Sequence, residues 1–171
     1  MLTGCRQDDW SPSVAAGDAA VFRLRGGAYD GAATRVEDLR TDYDRVEFRV
    51  VDAASGDAIG DLRGLYHPDG SELRIEGLRE GDYRLLVLGI RGDWSRDGVE
   101  VHPISHIDEE WVSFPADLGE PLAAEYFYSQ SPFTVRTDIS SEGIVTSQVT
   151  GTETLQQRII GRADFTFAYE N

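Results

Sequence analysis

The sequence predicts an all-β fold, a β-sandwich of about seven strands with at most short helical turns. Two observations carry this. Leu73 and Ile75 alternate with Arg74 and Glu76, and after a corner at Gly77 and Gly81, Tyr83, Leu85 and Val87 share one face while Leu86 and Leu88 occupy the other. A strand that is apolar on both faces belongs in the middle of a sheet or beneath a covering loop. Short runs of this kind also recur at spacings of roughly 8–20 residues, with no long helical period between them.

Taken in order, residues 1–18 read as a start segment and flexible tether, and residues 19–171 as the sandwich domain. Arg6 to Asp18 is polar, contains Pro, Gly and Ser, and has no period, the composition of a linker. From Ala19 to Gly26 the pattern is a first strand, with Phe22 and Leu24 inward and Arg23 and Arg25 outward. Gly27 to Thr41 reads as loop. Val46, Phe48 and Val50 against Glu47 and Arg49 give the clearest half-buried strand, turned back by Asp52–Asp57. Ile59–Tyr66 is a weaker, edge-type strand closed by His67-Pro68-Asp69-Gly70, and the two-faced hairpin follows.

Beyond Gly89, residues 90–98 read as a loop. Val99–Ile104 and Glu109–Phe114 read as short extended segments, and Leu118–Glu125 as a brief helical turn. Tyr126-Phe127-Tyr128 leads through Ser131-Pro132 into Phe133–Arg136. Gly143–Thr150 is rich in Val and Thr, and Leu155–Tyr169 ends in a strand with Phe165, Phe167 and Tyr169 on one face.

At 171 residues the chain suits one domain that needs no metal or disulfide to build a core. It carries 16 basic residues, all arginine, against 31 acidic ones, a formal charge of −15. That field repels nucleic acid and anionic membrane surfaces, and along the sequence the arginines form no stripe. The single cysteine, Cys5, excludes an internal disulfide and multi-cysteine metal centres. No run of about 18 apolar residues is present.

Met1-Leu2-Thr3-Gly4-Cys5 is similar to a bacterial lipobox, in which a small residue precedes a cysteine that is cleaved and acylated; Cys5 is then the lipid attachment point. Asp8-Asp9 behind it resembles the surface-export signal of Bacteroidetes lipoproteins. His102 and His106 stand four apart before Asp108-Glu109-Glu110, but Pro103 opposes the helix that would bring both imidazoles to one metal, so they read as solvated loop residues and no metal site is expected. Acid pairs such as Asp42/Asp44 and Asp108/Glu109 have the chemistry of general acids and bases only if they converge in a cleft. No nucleophile elbow, phosphate loop or dinucleotide fingerprint appears, so no enzyme activity and no cofactor is expected. Arg91-Gly92-Asp93 spells an integrin-type tripeptide in a predicted loop, and in a chain rich in these three residues it reads as coincidence. Among the aromatics, Tyr126 and Tyr128 read as core fill, while Trp94 and Trp111 are the candidates for a ligand contact.

Several pieces together resemble one family. They are the lipobox-like start, the tether, Val46–Asp52, the Leu-x-Ile-x-Gly-Leu-x-x-Gly-x-Tyr-x-Leu-x-Val pattern of residues 73–87, Tyr126-Phe127-Tyr128, Phe133-Thr134-Val135, and Leu155–Phe167. The order resembles the N-terminal transthyretin-like domain of the fimbrium-anchoring lipoproteins of Bacteroidales, in the fimbrillin superfamily. The pattern at 73–87 also fits other prealbumin-type modules, and Gln156-Gln157 departs from the alternation the family would give. The resemblance implies a cell-surface lipoprotein of the outer membrane, non-catalytic, acting as a fimbrial anchor or accessory adhesin. Its partners would be fimbrial subunits or other surface proteins joined by strand pairing, with the membrane reached through the lipid. A carbohydrate- or protein-binding module of an envelope or nutrient-uptake complex is the alternative.

Overall fold

The computed structural model describes residues 19–27, 43–115, 121–142 and 145–158. The all-β class is what forms: ten strands among the described residues, with two single 3₁₀ turns at Pro68–Gly70 and Trp94–Arg96. The strands are β1 (Ala20–Gly27), β2 (Arg45–Asp52), β3 (Arg63–His67), β4 (Glu72–Glu76), β5 (Gly81–Gly92), β6 (Glu100–Val101), β7 (Val112–Ser113), β8 (Ala124–Ile139), β9 (Val145–Thr150) and β10 (Glu153–Arg158). Eight of them make one sheet in the order β2-β5-β8-β10-β1-β4-β3, with β9 also paired to β8; β6 and β7 form a separate ribbon. The pairs are antiparallel except β1 with β10, which run parallel.

The sheet folds back on itself. Phe22 and Leu24 of β1 and Leu73 and Ile75 of β4 share a core with Val50, Tyr83, Leu85, Val87, Phe127 and Phe133 from the β2-β5-β8 side. Phe22 meets Phe133 edge-on at 4.9 Å, and Tyr83 stacks on Phe133 at 5.3 Å. On the other face of β5, Leu86, Leu88 and Ile90 join Val51, Val99, Trp111, Ala124 and Tyr126 in a second core, roofed by the segment that carries β6 and β7. Both sequence-predicted faces of β5 are therefore buried, one between the layers and one under a covering loop.

Two features explain residues that look out of place in strands. Gly89 lies in the middle of β5, and a Cβ there would come within 2.5 Å of Tyr43 Cζ. The glycine is the seat on which the buried Tyr43 ring rests. Pro132 lies inside β8, which runs unbroken from Ala124 to Ile139. The carbonyls of Asp82 and Ile90 accept bonds from Ala53 and Asp44 on the β2 side, so even-numbered β5 residues face β2. Arg84 is one of them, and its partner Pro132 thus points away from β5. There β8 is between neighbours, since β9 pairs from Thr134 onward and β10 only at Phe127 and Tyr128. A missing N–H breaks no ladder bond at that point.

Gln156, which departs from strand alternation, is fully buried where β10 crosses between the layers. Its amide nitrogen donates to Ser129 Oγ (3.0 Å) and Thr154 Oγ1 (2.7 Å), and its oxygen accepts from Tyr43 Oη (3.3 Å). A satisfied polar cluster of this kind can occupy a core without the cost of unpaired groups.

Several expectations are corrected. Ala124 and Glu125 open β8 instead of closing a helical turn; residues 118–120 of that expected turn lie outside the described residues. Residues 90–92 continue β5, and Trp94–Arg96 forms a 3₁₀ turn in which Asp93 accepts from Ser95. Ile59–Leu62 stands outside β3. The aromatic run at Phe165, Phe167 and Tyr169, the loop at 28–41, Asp42, and the tether with Cys5 lie outside the described residues.

Candidate functional site

The site is built from an edge. β2 is the terminal strand of the sheet, and its odd residues face β5, so Val46, Phe48, Val50 and Asp52 turn their backbone groups outward. The chain itself covers half of that edge. Asp52 N donates to Asp57 O (2.9 Å) and Ile59 N to Val50 O (2.8 Å). Then Gly60 and Asp61, the latter at φ 60, lead the backbone off towards β3. A non-glycine residue in the left-handed region is uncommon, and here it ends the self-pairing. Among the described residues no strand pairs with the other half, at Val46 and Phe48.

Beside this edge runs a groove of about 350 Å³, walled by Phe48, Val50, Ile59, Leu62 and Ile104, with Arg49 and Asp61 as its charged members. Phe48 closes its inner side. The ring lies over Gly64 of β3, where a Cβ would come 2.1 Å from Phe48 Cε1. An exposed edge next to apolar walls is the arrangement by which an extended segment is recognised: backbone bonds hold it and pockets select alternate side chains. One acceptor is already used, since Arg49 donates to Phe48 O (2.7 Å) and to His102 O (2.8 Å).

The outer face of β2 carries Arg45, Glu47 and Arg49 in a row. Arg45 donates to Glu47 (2.7 Å), and Arg49 lies 3.9 Å from the same carboxylate. Arg45 stacks 4.0 Å over the Trp94 ring, and Arg49 stands 5.3 Å over Trp111. The two tryptophans picked out by sequence thus sit under the same strand, but in different roles. Trp94 is 36% exposed and has a guanidinium on one face. Trp111 is 6% exposed, packed against Tyr128 in the second core. The reading of Trp111 as a ligand contact is corrected: a ring filling the core offers no face for stacking.

The other motifs separate. His102 Nε2 lies 2.9 Å from Ser113 Oγ, while His106 binds Ser55 O and Asp108, in a different loop contact. Among the described residues no three His, Cys, Asp or Glu side chains gather as a metal would require. The Ser113–His102 pair lacks the geometry of a nucleophilic triad, because Glu100 approaches the same Nε2 (3.8 Å) instead of orienting the ring through Nδ1. In Arg91-Gly92-Asp93, Arg91 is ion-paired with Glu125, Gly92 N donates to Asp44 (2.7 Å), and Asp93 caps the following turn. A tripeptide so engaged is part of the fold.

The carboxylates with displaced acidity have structural partners. Asp52 is held low by the Ser55 and Ala54 amides of its turn. Asp82 is held low by the Thr134 hydroxyl and then Arg136. Glu109 is held low by the Ser105 hydroxyl and amide. For Asp97 burial pushes the pKa up, but the Ala123 amide, the Tyr126 hydroxyl and the Ala124 amide together outweigh it and leave the group low. Burial, with Asp97 beside it, drives the Tyr126 phenol well up.

Comparison with models of protein families, with curated proteins and with solved structures returns no match to this chain.

Proposed function

We propose that this chain is a non-catalytic cell-surface lipoprotein subunit of the fimbrial anchor or accessory-adhesin kind. In this reading Cys5 carries the lipid, residues 6–18 are the tether, and a transthyretin-like sandwich presents the open half of β2 to an extended segment of a partner subunit. The observation that supports it is the edge at Val46 and Phe48, with which no strand pairs among the described residues once Asp61 turns the chain away, and which an apolar groove flanks.

The two halves of the reading are tested separately. Cells fed a labelled fatty acid are expected to label the full-length precursor and to leave its Cys5→Ala variant unlabelled; label on the variant would remove Cys5 as the anchor. Deleting the gene is expected to release fimbriae from the cell surface. Unchanged fimbrial assembly and attachment would end the fimbrial role.

A further inference from the structure

The outer face of the β1-β4-β3 layer gathers charge that the sequence disperses. With Phe22, Leu24, Leu73 and Ile75 facing the core, Arg23, Arg25, Arg74 and the odd residues of β3 face out. The register sets Arg74 opposite Val21 and Leu65, Arg23 opposite Glu72, and Arg63 opposite Glu76. Arg63, Arg74 and Arg23 therefore lie on one diagonal across three strands, at steps of about 7–8 Å, and Arg25 continues it along β1. All four are exposed, and among the described residues none is in an ion pair, although Glu72 and Glu76 stand directly across from two of them. Leu65, 59% exposed, protrudes beside this diagonal with His67 next to it, along a shallow depression of about 400 Å³. The absence of an arginine stripe in the linear sequence is corrected by the fold, which assembles one from residues up to 51 positions apart (23 to 74).

We infer that this face seats on an anionic lipid surface. Four exposed guanidiniums against two carboxylates, Glu72 and Glu76, leave the face with a positive excess, and with one exposed leucine it complements a layer of phosphate headgroups over an apolar interior. The net charge of −15 does not forbid it. Packed sheets are about 10 Å apart, and charges on the far face act through a screening length of about 8 Å at physiological ionic strength. The inference deepens the lipid-anchor reading and rests on it in one respect: the acyl chains on Cys5 would bring this face to the membrane, where a basic patch adds to their hold. The tether enters the fold at β1, the strand that carries Arg23 and Arg25.

The test is flotation of the full chain, without acylation, with phosphatidylglycerol–phosphatidylcholine vesicles and with phosphatidylcholine vesicles alone. Binding is expected only to the anionic vesicles and is expected to fall with added salt. Each arginine near such a surface contributes about a five-fold factor, so Arg63→Gln with Arg74→Gln is expected to weaken binding about 25-fold. The charge-matched control, Arg84→Gln with Arg96→Gln on the opposite face, is expected to bind as the parent chain does. Circular dichroism verifies that both exposed pairs leave the fold intact. No binding to anionic vesicles, equal binding to neutral ones, or equal losses in the two double variants would overturn the inference. None of these outcomes bears on Cys5 acylation or on fimbrial attachment, which fail or stand on their own experiments.

Discussion

Replacing Asp97 with alanine is expected to destabilise the protein by about 2–4 kcal/mol, because it takes the charged acceptor away from buried donors. Asp97 is 8% exposed and accepts from Ala123 N (2.7 Å), Ala124 N (2.9 Å) and Tyr126 Oη (2.8 Å). These bonds fasten the start of β8 to the segment roofing the second core. Alanine leaves two amides and a buried phenol without an acceptor, and hydrogen bonds to charged groups are the stronger kind. Thermal denaturation should show a fall in Tm of roughly 5–15 °C for a chain of this size. The effect has a pH signature. The Asp97 pKa is lower in the folded state than its ordinary value of 3.8, so its contribution is complete above that value and is lost as pH falls through the folded pKa. The stability gap between the parent and Asp97→Asn should therefore be widest near neutrality and narrow in acid. A gap independent of pH would mean that the charge is not what holds β8.

Gly89→Val is expected to cost about 3 kcal/mol, the upper end of the usual overpacking range. A Cβ at this position would overlap Tyr43, whose ring is 1% exposed, contacts Phe127 at 5.5 Å and is tied through its hydroxyl to Gln156. The ring has no free direction in which to move. Chemical denaturation of Gly89→Val, Tyr43→Ala and the double variant should give strong non-additivity, because valine fills part of the space that Tyr43→Ala opens. Additive losses would show that the glycine is not serving as the tyrosine's seat.

How much of this could be read in advance follows the range of the interactions. The double-faced strand β5 was legible because both its faces are written in consecutive residues, Tyr83 to Leu88. The alternation of β1, β2 and β4 was legible for the same reason. The open half of β2 was not, because it depends on where the chain leaves the edge, and a left-handed Asp61 has no signature beside ordinary loop aspartates. Trp94 sits in a Gly- and Asp-rich loop and keeps a third of its surface. Trp111 lies in an equally short extended segment, yet it is buried because β6 and β7 fold over β5, a tertiary event. The arginine diagonal was invisible for a similar reason: its members belong to three strands whose register is set by the core residues between them. Gln156 looked like a break in pattern because its partners Tyr43 and Ser129 are remote in sequence.

The central claim, that the outer half of β2 is open to a partner strand, is tested most directly by amide hydrogen exchange along β2 of the isolated chain. Glu47 and Arg49 face β5 and should exchange slowly, while Val46 and Phe48, whose amides point outward, should exchange as fast as exposed loop amides. That alternation, slow at odd and fast at even positions, is the predicted result. Val46 and Phe48 amides as protected as those of Glu47 and Arg49 would show that the edge is already covered and would contradict the account.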